Sequence, residues 1–122
     1  MAVKQLLDTN IILYFLAGKL SSPLPDNEYC ISVITQLELL SFPLLDAEAE
    51  ARIEAFFDQI EIIGLTPEII KETVLIRRKH KLKLPDSIII ATAKALDVII
   101  LTNDQQLGNV PNVKCHSLQL IS

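Results

Sequence analysis

Four acidic residues stand at positions where the chain could bring carboxylates together. Asp8 follows the apolar segment VKQLL and Asp104 follows IILTN, so each lies just past the end of a predicted strand. Asp86 comes directly after a proline at the start of an apolar helix, and Glu38 lies inside the helical segment VITQLELLSF. Because parallel strands end at one edge of a sheet, we expect these four acids to share one rim.

Each acid also has a purely structural explanation. An aspartate after a strand can cap the next helix, and one in a first helical turn gains about 0.3–1 kcal/mol from the helix dipole. A glutamate at the edge of a helix can reach solvent. Together, however, four carboxylates within a few ångströms would repel one another by roughly a few kcal/mol per close pair. Such a cluster is tolerated mainly where a divalent cation screens the charges.

The available side chains favour Mg²⁺ or Mn²⁺ as that cation. Carboxylate oxygens are hard ligands that suit these ions, whereas the chain has only two histidines and two cysteines, without zinc or disulfide spacing. We interpret Cys30 and Cys115 as small buried residues in a reducing cytoplasm. A bound Mg²⁺ leaves positions open for phosphate oxygens and makes a bound water more acidic, which is chemistry suited to hydrolysing phosphodiesters.

Alternating strands and helices must position these acids. The hydrophobic patterns predict strands at 3–7, 29–32, 61–65, 98–101 and 113–118, helices at 9–18, 33–42, 46–60, 66–81 and about 86–96, and a turn at 103–107. The segment SIIIA is assigned to a helix because ATAKAL continues it and because the next strand needs a crossover before it. Such alternation predicts an α/β fold, a three-layer sandwich whose central parallel sheet of about four to five strands is flanked by helices.

Composition limits the class of protein. A chain of 122 residues, half of them hydrophobic, is expected to fold as one domain spanning 1–122. No apolar run approaches the ~20 residues needed to cross a membrane, and no secretory signal is recognisable at the start, so we expect a cytoplasmic protein without membrane contact. The net charge of −4 argues against nucleic-acid binding by phosphate neutralisation alone.

Four motifs around the acids match a known family in order. They are LLDTNIIL, SVITQLELL, LPDSIIIATA and IILTNDQQL, and they span nearly the whole chain. The triplet DTN alone is common by chance, but the ordered set is specific. The chain resembles a PIN domain, and in size it resembles the VapC-type toxin ribonucleases of bacterial and archaeal toxin–antitoxin pairs.

The resemblance implies a PIN-like fold and metal-dependent cleavage of single-stranded or structured RNA. Its catalytic, metal-binding quartet would fall on Asp8, Glu38, Asp86 and Asp104, with Mg²⁺ or Mn²⁺ as cofactor. Supporting roles would fall on Thr9, Asn10 and Thr102, which could orient carboxylates or bound water. Many relatives carry an aromatic three residues after the last acid, where this chain has Leu107, which we interpret as a change in packing. The family further implies a homodimer and an antitoxin partner.

A basic segment precedes Asp86 and has two interpretations. Residues 77–83, IRRKHKLKL in context, hold five of the eleven lysines and arginines. We prefer a solvated helix C-terminus, where cations are favoured by the dipole. The alternative is a surface near the mouth of the site that attracts phosphates, in which case Arg77 and Arg78 would be the RNA contacts.

Other functions fit less well. A haloacid-dehalogenase-like phosphatase needs a second aspartate two residues after the first, where this chain has Asn10. A receiver domain needs an aspartate after the third strand, and EIIGLT has none. A non-enzymatic alternative is a PIN-fold subunit that binds RNA or serves as an assembly scaffold, with the amphipathic helix DAEAEARIEAFFDQIE as a contact surface.

Overall fold

The computed structural model describes residues 4–43 and 45–121, and in these ranges five strands alternate with six helices. The strands are β1 (Lys4–Leu7), β2 (Glu28–Ser32), β3 (Glu61–Ile63), β4 (Ile99–Leu101) and β5 (Cys115–His116). The helices are α1 (Thr9–Leu16), α2 (Val33–Leu40), α3 (Ala47–Phe57), α4 (Pro67–Lys79), α5 (Leu84–Leu96) and α6 (Gln105–Gly108).

All five strands are parallel, in the order β3-β2-β1-β4-β5. Leu6 in β1 lies opposite Cys30 in β2 and Ile100 in β4. The chain builds outward from β1 to β2 and β3 on one side, and then places β4 and β5 on the other. The order therefore reverses between β1 and β4, which is where open parallel sheets form ligand clefts. The predicted α/β fold with a parallel central sheet is confirmed.

Two hydrophobic clusters cover the two faces of the sheet. Alternation along β1 places Leu6 in one cluster and Leu7 in the other. The Leu6 cluster contains buried residues of α4 and α5, including Ile76 and Ile90. The Leu7 cluster contains buried residues of α1, α2 and α3, including Ile12. The sheet is thus the middle of three layers, as a parallel sheet with apolar strands requires.

Helix ends follow local sequence signals. Helix α1 ends at Leu16, two residues before the predicted end, because Gly18 takes a left-handed conformation with φ of 69°. The N–H of Lys19 donates to the carbonyl of Tyr14 and that of Gly18 to Phe15, the paired bonds of a Schellman motif. Asp46 caps α3 by accepting from the N–H of Ala49 at 2.7 Å.

The segment SIIIA is helical, and α5 begins two residues earlier than predicted. The helix starts at Leu84 because Pro85 fits a first turn, where no intrahelical N–H bond is needed. Residues 87–93 of α5 are all buried, which explains why their composition also resembles that of a buried strand.

The predicted turn at 103–107 contains the short helix α6, capped by Asp104. The strands predicted at 61–65 and 113–118 are shorter than expected, because β3 ends at Ile63 and β5 covers only Cys115–His116. Val3, predicted to begin the first strand, lies outside the described residues. Among the described residues, no helix has both the length and the apolar character needed to span a bilayer.

Candidate active site

The four acids highlighted by the sequence line a single cleft of about 310 Å³. Asp8 follows β1 and Asp104 follows β4, so these two flank the point where the strand order reverses. Asp86 comes from the first turn of α5 and Glu38 from the second turn of the short helix α2. The lining is completed by Thr9, Asn10, Leu13 and Phe42.

Asp8 is the most enclosed of these acids, with 6% of its surface exposed. One carboxylate oxygen, Oδ1, accepts a hydrogen bond from the N–H of Thr9 at 2.8 Å and so caps α1. The other oxygen, Oδ2, accepts from the hydroxyl of Thr102 at 2.7 Å. The capping explanation is therefore true of this residue and is compatible with the binding of a ligand, because each oxygen retains a lone pair after making its bond.

Burial is the main cause that raises the pKa of Asp8 above its ordinary value. The hydrogen bonds from Thr102 and from the N–H of Thr9 act in the opposite direction, because they favour the ionised form. The negative charges of Asp104 and Glu38 raise this pKa further. Ionisation of Asp8 therefore carries an electrostatic cost that a cation in the cleft would relieve.

Glu38 is held by a pair of threonines. The hydroxyl of Thr9 donates to Glu38 Oε1 at 2.8 Å and lies 3.0 Å from the hydroxyl of Thr35. A hydroxyl has a single hydrogen to donate, so Thr9 donates its hydrogen bond to the carboxylate of Glu38 and accepts one from the hydroxyl of Thr35. The buried side of α2 centres on Thr35 and Leu39, which places the half-buried Glu38 at its edge.

Asp86 extends the electrostatic cluster. Its pKa is raised mainly by burial and then by the charges of Asp8, Asp104 and Glu38, while Lys83 lowers it. The helix α5 has no side-chain cap, since its N-cap is Lys83, so Asp86 is free of a capping role. The four charges therefore act on one another across one cleft.

Thr102 joins the ends of two strands. It is 3% exposed, its hydroxyl donates to Asp8 after β1, and its oxygen accepts from the N–H of Asp104 at 3.0 Å after β4. Asp104 in turn caps α6 by accepting from the N–H of Gln106 at 2.9 Å. The residue predicted to support the site thus contacts one predicted acid and the backbone of another.

The donor set of the cleft suits a hard divalent cation. In the described ranges, no three His, Cys, Asp or Glu side chains stand close enough together to enclose a metal ion by themselves. Mg²⁺ does not require such a cage, because it is commonly bound by one or two carboxylates, waters and substrate phosphates. Four oxygen-only side chains in one cleft, where neighbouring negative charges raise the pKa of Asp8 and of Asp86, therefore fit Mg²⁺ or Mn²⁺.

The arginines of the basic segment 77–83 lie apart from the acids, whereas Lys83 at its end is close enough to Asp86 to lower the pKa of that carboxyl. Arg77 and Arg78 are exposed in the last turn of α4 and do not line the acidic cleft. Lys79 and His80 line a different cleft together with Lys94, which belongs to the far end of α5. The geometry favours the solvated helix end over a position at the mouth of the site.

Sequence reasoning missed two residues near the site. Thr35 is fully buried and holds Thr9, and Asn103 is bonded to the backbone of Leu118. The threonine one turn before Glu38 in TQLE was an available signal, whereas nothing local marks the partner of Asn103. Leu107, at the position where relatives carry an aromatic, is completely buried in the Leu6 cluster. Cys30 is buried and its thiol pKa is raised to about 11, as expected for an inert cysteine.

A family model of the PIN domain matches residues 6–113, so this chain belongs to the PIN domain family. The sequence-based recognition is thereby confirmed. None of the curated proteins matches the chain.

Solved structures share the fold over nearly the whole chain. The VapBC2 structure from Rickettsia felis, bound to a promoter DNA fragment, matches with a TM-score of 0.80 and 19% identity, covering 94% of this chain and 98% of that chain. A toxin–antitoxin complex from Klebsiella pneumoniae matches with a TM-score of 0.74 and 29% identity, over 89% and 94% of the two chains. The VapBC-5 structure from Mycobacterium tuberculosis matches with a TM-score of 0.69 and 19% identity, covering 96% of this chain and 98% of that chain.

Proposed function

We propose that this chain is a Mg²⁺- or Mn²⁺-dependent endoribonuclease and the VapC-type toxin of a type II toxin–antitoxin pair. The observation that carries the proposal is the meeting of Asp8, Glu38, Asp86 and Asp104 in one cleft beside the point where strand order reverses. Membership of the PIN family and the toxin–antitoxin complexes among its structural neighbours support it. In this proposal residues 1–122 act as one cytoplasmic PIN-like domain.

The four carboxylates would hold the ion. When bound, it would supply positive charge for the phosphodiester oxygens and lower the pKa of an attacking water. Asp8 and Asp104 would bind the ion from the two strand ends, and Glu38 and Asp86 would bind it from the helices on either side.

The neighbouring polar groups would keep the carboxylates in place. The N–H of Thr9 and the hydroxyl of Thr102 hold the two oxygens of Asp8, and the hydroxyl of Thr9 holds Oε1 of Glu38. The remaining lone pairs of both acids stay available for a ligand. Asn10 is exposed at the edge of the cleft, where its amide could donate to a phosphate oxygen or to a water. These residues would orient groups rather than take part in bond breaking.

Cleavage of RNA by the purified chain tests the metal mechanism. We expect a labelled RNA to be cut with Mg²⁺ or Mn²⁺ and to stay intact with EDTA. The Asp8→Asn variant, purified in parallel, controls for contaminating nucleases. Cleavage that survives EDTA would contradict the metal mechanism, and RNA that is bound but never cut would favour the non-enzymatic scaffold.

An antitoxin partner and a homodimer are part of the same proposal. Leu13 and Phe42 line the acidic cleft, and Phe42 and Leu37 are 41% and 56% exposed. Apolar side chains of this size beside the acids would suit a partner segment that covers the cleft. Purification from the native host, with sequencing of the bound RNA and of any small protein that accompanies it, would identify both. A chain recovered alone and monomeric would contradict this part.

A further inference from the structure

Asn103 lies between Thr102 and Asp104 but does not line the cleft. Its side-chain Nδ2 donates to the backbone carbonyl of Leu118 at 2.9 Å, and its Oδ1 accepts from the N–H of Leu118 at 2.8 Å. Both polar groups of one side-chain amide thus bond to both backbone groups of one residue fifteen positions away. We call this pair of bonds the Asn103 clamp.

The Asn103 clamp takes the place of the next pair of hydrogen bonds between β4 and β5. Along β4 and β5, Ile100 N–H donates to Lys114 and Thr102 N–H donates to His116, each at 2.9 Å. If the parallel ladder continued, the N–H of Leu118 would donate to the carbonyl of Thr102, and its carbonyl would accept from the N–H of Asp104. The Asn103 amide takes both of these positions.

Because the Asn103 amide replaces these ladder bonds, the backbone N–H of Asp104 is free to bond elsewhere. Because Leu118 is already satisfied, the N–H of Asp104 is available to bond the oxygen of Thr102 at 3.0 Å. That bond turns the chain out of the sheet, so that the carboxylate of Asp104 reaches the cleft and caps α6. The same Thr102 hydroxyl donates to Asp8, so the turn fixes two of the four acids.

The segment that supplies Leu118 is also fixed at its other end. We call residues 118–121 the C-terminal strap. The N–H of Ser21 donates to the carbonyl of Gln119 at 2.9 Å, and the N–H of Ile121 donates to that of Lys19 at 2.8 Å. Leu118 itself packs against the Leu7 cluster. The strap therefore connects the chain after α1 with the turn after β4, which carries Asp104.

We propose that Asn103 is a positioning residue, which acts through Leu118 of the C-terminal strap to hold the turn Thr102–Asp104 in its cation-binding form. The inference rests on the proposed metal-dependent function. It predicts that a group outside the cleft sets the affinity for the cation, because an unclamped turn can rejoin the ladder and withdraw Asp104. Loss of such an outer support commonly weakens metal binding about 10- to 100-fold.

The test measures Mn²⁺ affinity by electron paramagnetic resonance and, separately, the rate of RNA cleavage against Mn²⁺ concentration. Asn103→Ala should weaken Mn²⁺ binding at least about tenfold, with cleavage largely restored at saturating Mn²⁺, while circular dichroism shows a folded chain. Asn109→Ala is the matched control, because Asn109 is exposed at the end of α6 and should leave the affinity unchanged.

Two further variants separate the clamp from general damage. Asn103→Asp keeps the acceptor for the Leu118 N–H but places a carboxylate against the Leu118 carbonyl. Its Mn²⁺ affinity should fall although the added negative charge alone would raise it. A chain ending at Ser117 should match Asn103→Ala and add little to it, because both remove one interaction, whereas a chain ending at Gln119 keeps the clamp and should bind Mn²⁺ like the wild type.

Unchanged Mn²⁺ affinity in folded Asn103→Ala or Asn103→Asp would overturn the positioning role. A wild-type chain that binds Mn²⁺ but cuts no RNA would overturn the proposed nuclease, and the affinities of the variants would still decide the clamp. A wild-type chain that binds no Mn²⁺ would overturn both.

Discussion

The two ends of one short sheet differ in how their charges are arranged. At the carboxyl end, four acids line a cleft, and Asp8 and Asp86 have raised pKa values. At the amino end, Lys4, Lys94 and Lys114 line another cleft together with Asp97. The strand β1 that separates them has four residues, about 13 Å at ~3.3 Å per residue. A cleft with acids alone and a cleft with mixed charges thus lie a very short distance apart.

The two ends also differ in whether their charges are paired. Lys4 forms an ion pair with Glu61, and Lys94 with Glu72 at 3.7 Å. Across residues 4–43 and 45–121, none of the four acids of the cleft forms an ion pair with a lysine or arginine. Paired surface charge needs no explanation beyond solubility, whereas buried like charges without counter-ions are typical of functional sites.

The largest expected effect comes from removing one acid. Asp86→Asn should reduce metal-dependent cleavage at least about a hundredfold, since the charge stabilisation by a bound cation is worth several kcal/mol and each ~1.4 kcal/mol is tenfold in rate. Lys94→Gln, at the other end of the same helix, is the matched control and should stay within about threefold. The check is the cleavage rate at fixed Mn²⁺. An equal loss of cleavage rate in both variants would contradict a special role for the acids at the carboxyl end.

The next effect concerns the hydroxyl that joins the strand ends. Thr102→Val removes the bonds to Asp8 Oδ2 and from the N–H of Asp104, and should weaken Mn²⁺ binding about 10- to 100-fold. Thr92→Val is the control, because the buried Thr92 hydroxyl bonds only the carbonyl of Ile88 within α5. We expect the control to lower Tm without changing Mn²⁺ affinity, measured by titration calorimetry. A loss of affinity in both would indicate general loosening.

A smaller effect is expected in the pH dependence of the metal-free chain. The folded pKa values of Asp8 and Asp86 lie above the ordinary 3.8. Between 3.8 and those values the folded chain binds more protons than the unfolded chain, so stability rises as the pH falls through this window and decreases as it rises. Asp86→Asn should therefore be more stable than the wild type at pH 7, with the gain vanishing below about pH 4.

That comparison uses thermal melts in EDTA across pH 3.5 to 8. Lowered stability at pH 7, or the same gain at every pH, would show that the charge of Asp86 is not the cause. The helix dipole acts against the expected gain, since it favours a negative charge in the first turn of α5. We expect burial and the charges of the three neighbouring acids, which raise the pKa of Asp86, to outweigh it.

The smallest expected effect belongs to the exposed arginines of α4. Because Arg77 and Arg78 do not line the cleft, their joint replacement by alanine should weaken RNA binding only a few-fold, and most at low salt. Lys19→Ala with Lys71→Ala removes the same charge from other exposed positions. Filter binding across a salt series compares the two double variants. A large loss of RNA affinity in the arginine variant alone would show that RNA contacts α4. The basic segment would then belong to the same functional surface as the acidic cleft.

Much of the fold was predictable because its signals are local. Asp46 and Thr66 cap their helices through bonds to residues three positions away, and Gly18 ends α1 through its own backbone conformation. The runs that became β1, β2 and β4 are apolar on both sides, as buried parallel strands must be. The observed helix and strand boundaries differ from the predicted ones by a few residues where a capping residue or a proline, rather than the hydrophobic pattern, determines the end of the element.

The composition of the cleft was only partly predictable. Asp8 and Asp104 could be placed at one rim because each directly follows a strand. Glu38 could be included because its helix follows a strand and can lean over that rim, but its actual position depends on how α2 packs. The Asn103 clamp was not predictable, because its partner Leu118 is far away in sequence and contributes only backbone groups.

By itself, the sequence determined the order of strands and helices and the side chains available for chemistry, since caps, turns and apolar runs act within a few residues. Only the tertiary structure decided that the strand order reverses between β1 and β4, so that acids from four separate segments share one cleft. It also decided which hydroxyls hold them, because a hydrogen bond such as that from Thr102 to Asp8, across 94 residues, exists only after the sheet has closed.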